Sequence, residues 1–302
     1  MAGLTPGKLA GLKRISRAGH LTMVAMDQRG SMKKMMNKEK PDAVTDAQML
    51  EVKRDLFQTL SKNASAILID PQSFLELRKQ GATHTILQKT GLLLSQEETG
   101  YEALGAGRVT SLLPDWGPGP TKNEHADAAK LLLYYLPDDS EAMKKQEELL
   151  KRVYEECKKH DLLFLLEPLS YSAKPDEKVD VVVETARRLQ PFCDILKMEF
   201  PSGSTDATQQ LLDCKRLNGI IKIPWVILSA GVDFDVFERQ VELASRAGAS
   251  GFLGGRAIWK ESVPMPHEQR AKFLEETSTA RILRLIKLVE MHGSKWFDKY
   301  DQ

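Results

Sequence analysis

The sequence predicts an α/β protein: a single (β/α)8 (TIM) barrel over residues 1–302, with a short helix ahead of it and a long helix at the end. Three observations lead there. Eight short apolar runs, bounded by Gly, Pro or polar residues, read as buried strands. They mostly alternate with stretches of helical periodicity, the pattern of a parallel sheet, and eight such strands close a barrel. A doubly wound open sheet would show fewer strands and a Gly-rich phosphate loop after the first, and this sequence has no such loop. No linker, repeat or low-complexity stretch marks a domain boundary, and barrels of this length are common as one domain.

Thr5 to Arg17 has the pattern of a short amphipathic helix. The first strand, His20 to Asp27, ends in Asp27, Gln28, Arg29 and Gly30, and the basic segment Met32 to Lys40 reads as a loop or a helical start. Thr45-Asp46-Ala47-Gln48 is a capping box before Met49, Val52, Leu56 and Leu60 at helical spacing. Ala64 to Asp70 is the second strand and Gly91 to Leu94 the third, followed by a polar loop, Ser95 to Gly107. Glycine and proline around Asp115 and Trp116 make Leu112 to Pro120 a loop. Ala126 to Tyr135 is the fourth strand, with Lys130 inside it, and Ser140 to Lys159 a charged helix. The fifth strand, Leu162 to Leu169, holds Glu167; the sixth is the run Cys193-Asp-Ile-Leu-Lys-Met-Glu-Phe-Pro201 around Lys197. Helices over 179–189 and 206–217 flank that run. Ile223 to Gly231 is the seventh strand, Phe234 to Ala247 a helix stopped by Gly248, and Ser250 to Ala257 the eighth strand. His267 to Met291 reads as one long helix.

Composition narrows the class. The formal charge is +1, so nothing in the balance calls for nucleic acid or a membrane surface as a partner. Three scattered cysteines, Cys157, Cys193 and Cys214, argue against a disulfide framework and for a reducing compartment. Residues 1–19 lack the apolar core of a signal peptide, and no window is apolar enough to span a bilayer. A cytoplasmic, soluble protein is expected, with a homo-oligomer as the default assembly.

In a barrel the active site lies at the C-terminal ends of the strands. The polar residues there are Asp27, Gln28, Arg29, Asp70, Lys130, Glu167, Lys197, Glu199, Ser229 and Arg256. Strand ends turn polar anyway, and a lysine can snorkel from one. Lys130, Lys197 and Glu167 resist that reading because each is embedded in an apolar run, where charge is costly. Two lysines and two carboxylates converging on one mouth suggest chemistry. A buried lysine beside another cation has its pKa lowered, and moving it from about 10.4 to about 7.5 costs roughly 4 kcal/mol. The free amine can attack a ketone to form a Schiff base, and the iminium then draws electrons from the adjacent carbon. Glu167 would shuttle protons in imine formation and Asp27 would take a hydroxyl proton during carbon–carbon cleavage. Ser229-Ala230-Gly231 and Gly254-Gly255-Arg256, after the seventh and eighth strands, suit a phosphate. The six histidines show no ligand spacing and no Cys cluster supplements them, so neither metal nor cofactor is expected. Two rivals remain: a non-catalytic barrel that binds sugar phosphates, which would have no need of Lys197 or Glu167, and a transaldolase, which an acceptor assay would separate.

The ordered motifs V-A-M-D-Q-R-G, E-E-T-G-Y, A-D-A-A-K-L-L-L-Y-Y, L-L-E-P-L, L-K-M-E-F-P, I-L-S-A-G-V and G-G-R-A-I-W, spread over Leu21 to Trp259, resemble the class I tagatose-1,6-bisphosphate aldolases. The same frame is similar to the sulfofructose phosphate aldolases and, more distantly, to class I fructose bisphosphate aldolases. The resemblance implies a metal-free barrel that splits a ketohexose 1-phosphate derivative into dihydroxyacetone phosphate and a three-carbon aldehyde. It implies Lys197 as the Schiff-base lysine and Glu167 as proton shuttle, with Asp27 and Lys130 at the reacting hydroxyls and carbonyl. It implies Ser229, Gly231, Gly255 and Arg256 as holders of the ketone-side phosphate. The segment between Leu169 and Lys197 is shorter than the tagatose pattern, and W-V-I-L-S-A-G-V-D leans to the sulfosugar enzymes, whereas D-Q-R-G and E-E-T-G-Y lean back. The far anion is thus phosphate or sulfonate, with Arg29 its expected contact, and Gln28 is a further expected substrate- or phosphate-binding residue.

Overall fold

The computed structural model describes residues 4–138, 140–171 and 173–300. Eight parallel strands close a barrel in the order β1-β10-β9-β8-β7-β6-β3-β2. They are β1 (Leu21–Ala25), β2 (Ala66–Ile69), β3 (Gly91–Ser95), β6 (Ala128–Tyr134), β7 (Leu163–Leu169), β8 (Ile195–Met198), β9 (Trp225–Leu228) and β10 (Gly251–Gly254). Each falls within an apolar run marked in the sequence or overshoots it by one residue. All eight are buried on both faces over most of their length, which is why they read as continuous apolar runs rather than alternating ones.

The twofold alternation of strand side chains sorts these residues into two cores. Met23, Ala25, Leu68, Leu93, Ala128, Leu165, Ile195, Val226 and Leu253 point into the barrel, while Val24, Ile67, Leu92, Ala129, Leu166, Leu196, Ile227 and Phe252 pack outward against helices. Leu12 from the N-terminal helix (Pro6–Arg14) and Ile15 just after it, with Trp296 from the C-terminal segment, fill the lower end of the barrel. Beneath it Lys8 pairs with Asp194 at 2.8 Å, which also accepts the Phe164 N–H. Two residues beyond an inward apolar position comes another inward position. Asp27 follows Ala25 in that sense, Lys130 follows Ala128, Glu167 follows Leu165, and Lys197 follows Ile195. The period of two delivers four charges to one mouth.

The structure departs from expectation in several places. The polar segment after β3 is not a plain loop: Glu102–Leu104 (β4) and Gly107–Val109 (β5) pair as an antiparallel hairpin, turned at Gly105 with φ +59°. Of the two readings for Met32 to Lys40 the helical start holds, as helix Gly30–Met36, while the segment after β2, for which the sequence marks no element, holds a helix, Pro71–Lys79. The end of the expected loop 112–120 is likewise helical, from Pro118. The C-terminal helix widens to a π segment over Leu274–Ser278, where the Thr279 hydroxyl donates to the Leu274 carbonyl.

Asp70 is not part of the mouth. It accepts from the Ser73 N–H at the start of helix Pro71–Lys79 and pairs with Lys53 from helix Asp46–Leu60, both side chains being fully buried. Glu199 also turns away, accepting from the Ser170 N–H and hydroxyl at 2.6 Å, and burial raises its pKa. Among the described residues no helix is long and apolar enough to cross a membrane.

Candidate active site

The strand ends open into a cavity of about 580 Å³ lined by Asp27, Gln28, Arg29, Lys130, Glu167, Lys197, Ser229, Gly255 and Arg256, together with Glu97, Lys34, Leu132 and Tyr134. That volume suits a small polar ligand. Besides Asp70 and Glu199, which turn away, the site residues expected from the sequence are brought to one place except Gly231, which does not line the cavity. Its backbone has φ +79° and lies against the Arg256 guanidinium, so a side chain there would crowd that cation.

The floor is an ion-pair lattice centred on Lys130. Its ammonium lies 2.8 Å from Asp27, 2.5 Å from Glu97 and 2.9 Å from Glu167. The other oxygen of Glu167 lies 2.8 Å from the Lys197 ammonium, so one carboxylate bridges the two lysines. Lys130 and Lys197 are only 1% and 3% exposed, and unpaired ammonium groups that deep would cost several kcal/mol each.

The protonation of this lattice follows from its charges. Burial works against the charge of Lys130, but Asp27, Glu167 and Glu97 outweigh it and hold its pKa well above the ordinary value. The expectation that a buried lysine here would be discharged therefore fails for Lys130: three acids, from the ends of three strands, keep it a cation. Burial alone would raise Glu167 and Asp27. Lys130 and then Lys197 pull both down, Asp27 to about 2.

A carboxyl depressed from 3.8 to about 2 on folding binds protons less readily in the folded chain than in the unfolded one. Its stabilising contribution is present above about pH 4 and is lost as pH falls through about 2. Thermal melts between pH 4 and 2 should therefore show a smaller drop in Tm for Asp27→Asn than for the unsubstituted chain. Parallel Tm–pH curves would contradict this.

Glu97 is the residue that sequence reasoning missed. It follows β3, binds Lys130 through one oxygen and accepts the Leu132 N–H at 3.0 Å through the other. The strand-end rule that picked out Asp27 applied equally to it. On the β9–β10 side, the Gly255 N–H approaches the Ser229 hydroxyl at 3.4 Å, and Arg256 has no described carboxylate within 4.0 Å. Arg29 donates from Nη2 to the Glu97 carbonyl at 2.5 Å, and its buried Nε has no partner among the described residues. Arg29, Lys34 and Arg256 have no carboxylate within 4.0 Å among the described residues and outnumber Glu98 on the walls above a floor whose own charges nearly cancel, an arrangement that attracts a multiply charged anion.

Three facing ligand-type residues also occur elsewhere. Glu51, Asp55 and His267 cluster on outer helices, where Arg270 already bonds both carboxylates at 2.6 Å.

A family model described as DeoC/LacD family aldolase matches residues 21–261. The chain is 35% identical over 292 residues to tagatose 1,6-diphosphate aldolase 2 of Enterococcus faecalis, covering 87% of this chain and 86% of that one. It is 30% identical over 327 residues to tagatose 1,6-diphosphate aldolase 1 of Streptococcus pyogenes, covering 98% and 99%. Among solved structures, a fructose-bisphosphate aldolase from Plasmodium falciparum matches with a TM-score of 0.74 at 14% identity, covering 96% of this chain and 97% of that one. A Schiff-base-forming fructose-1,6-bisphosphate aldolase matches at 0.58 and 18% identity, covering 91% and 99%. At such identities the structural likeness establishes the shared barrel alone.

Proposed function

The chain belongs to the DeoC/LacD family of aldolases, and from that premise we propose that it is a class I aldolase cleaving tagatose 1,6-bisphosphate through an imine on Lys197. The observation that carries this reading is the bridging position of Glu167 between Lys197 and Lys130. The names of the curated relatives support the substrate.

The pair Lys197–Glu167 supplies the first proton transfer. The ammonium passes a proton to the carboxylate 2.8 Å away, and the amine so freed attacks the C2 ketone. The attacking nitrogen gives up a second proton to the former ketone oxygen, making the carbinolamine hydroxyl; Glu167 then returns the first proton to that hydroxyl, which leaves as water, and the iminium forms. Lys130 stays charged, so it holds Asp27 and Glu97 in place and stabilises the developing alkoxide. Asp27 takes the C4 hydroxyl proton as the C3–C4 bond breaks, and the bond's electron pair moves into the enamine. The aldehyde leaves first. Protonation at C3 and hydrolysis then release dihydroxyacetone phosphate and restore Lys197.

The Ser229 hydroxyl, the Gly255 N–H and Arg256 hold the ketone-side phosphate, backed by Gly231. Arg29 serves the other end, and Gln28, whose Nε2 lies beside Gly255, is a further substrate contact. There Arg29 suits either a phosphate or a sulfonate, and the sulfosugar-like W-V-I-L-S-A-G-V-D segment keeps 6-deoxy-6-sulfofructose 1-phosphate as the second reading. Cleavage rates of the two substrates, measured by dihydroxyacetone phosphate release, decide between them. For the preferred substrate, Arg29→Ala should raise KM at least about tenfold, the worth of a hydrogen bond to a charged group. The analogue with an uncharged far end should change less than about twofold. Equal effects on both would remove Arg29 from the far-anion subsite.

A further inference from the structure

Between β3 and β6 the hairpin β4–β5 lies outside the barrel, and Arg108 fastens it to Tyr134 and Tyr171. The Arg108 N–H donates to the Tyr171 hydroxyl at 3.1 Å. Its guanidinium lies 4.5 Å from the Tyr101 ring centroid, 4.8 Å from that of Tyr171 and 5.9 Å from that of Tyr134. Tyr101 meets Tyr134 edge-on, with centroids 5.2 Å apart. No described carboxylate lies within 4.0 Å of Arg108, so the rings are the partners of this cation.

What the clamp immobilises is Tyr134, the next inward position on β6 after Lys130 and Leu132, and all three line the cavity. Tyr134 pairs in register with Leu169, two residues beyond Glu167. At about 3.3 Å per residue it stands about 7 Å above the Glu167 level, roughly the reach from a reacting ketone to the far end of a six-carbon chain. The Tyr134 hydroxyl has no hydrogen-bond partner among the described residues. Arg29, tied to the carbonyl of Glu97, lines the same cavity.

The geometry points to Tyr134 as a specificity-determining residue that donates its phenol hydrogen to the distal anion of the substrate, with Arg108 as the positioning residue that fixes the ring. Burial raises the Tyr134 pKa while Arg108 opposes the rise, so the phenol remains a protonated donor at neutral pH. This rests on Lys197 being the imine-forming lysine, which places the ketone at the cavity floor.

The test runs the reaction in the condensation direction, with dihydroxyacetone phosphate and either glyceraldehyde 3-phosphate or glyceraldehyde. Tyr134→Phe should lower kcat/KM for the phosphorylated aldehyde about ten- to a hundredfold, through KM rather than kcat, as one lost hydrogen bond to an anion does. The unphosphorylated aldehyde should change less than about twofold, and borohydride trapping of dihydroxyacetone phosphate on Lys197 should be unchanged. Arg108→Met should follow Tyr134→Phe, and Arg108→Lys, which keeps a cation over the rings, should recover most of the loss. Equal effects on the two aldehydes, or none, would overturn the assignment of Tyr134. An Arg108→Met variant with unsubstituted kinetics would overturn the role of Arg108. Absence of trapping in the unsubstituted enzyme would instead bring down the Lys197 reading beneath it.

Discussion

Replacing Lys197 with arginine is expected to abolish aldol cleavage, lowering kcat about 10⁴-fold or more, as loss of a covalent nucleophile does. Arginine keeps the positive charge and the partnership with Glu167, so the lattice around Lys130 is not left with an unbalanced carboxylate. What it lacks is an amine that can be discharged, because its pKa lies above 12. Substrate affinity, measured by calorimetry on the inactive variant, should survive within an order of magnitude, since the anion contacts come from other strands. Activity within tenfold of the unsubstituted enzyme would dismiss Lys197 as nucleophile.

Glu167→Gln should have the next largest effect, lowering kcat about 10²- to 10⁴-fold through loss of a positioned acid–base group. Glutamine can accept from one lysine, but it can neither take the Lys197 proton nor return it to the carbinolamine oxygen. The defect should therefore appear in imine formation itself, as a slowed single-turnover rate of adduct trapping with dihydroxyacetone phosphate. A variant that forms the adduct at normal speed yet turns over slowly would place Glu167 after imine formation and remove it from the first proton transfer.

The barrel was legible because parallel strands buried on both faces leave runs such as Ala66–Ile69 and Trp225–Leu228, which stand out between polar segments. Lys130, Lys197 and Glu167 were legible for the complementary reason: charges within such runs need an explanation. Glu97 escaped because it lies in Ser-Gln-Glu-Glu-Thr, where a carboxylate breaks no pattern. The hairpin escaped because three-residue strands, largely exposed, are too short for an alternation to declare itself. Asp70 had the same signature as Asp27, a carboxylate ending a strand. The difference is Lys53, 17 residues earlier on a helix, which captures Asp70 but leaves Asp27 to Lys130. The charge state of Lys130 depends on three acids contributed from positions 27, 97 and 167, a sum that closure of the barrel creates.

Two buried lysines share Glu167, and only one of them is assigned the covalent step. Borohydride reduction in the presence of dihydroxyacetone phosphate, followed by intact mass and peptide mapping, separates them. The account predicts a single adduct on the peptide containing Lys197. An adduct on Lys130, or none on folded protein that still binds the phosphate, would contradict it.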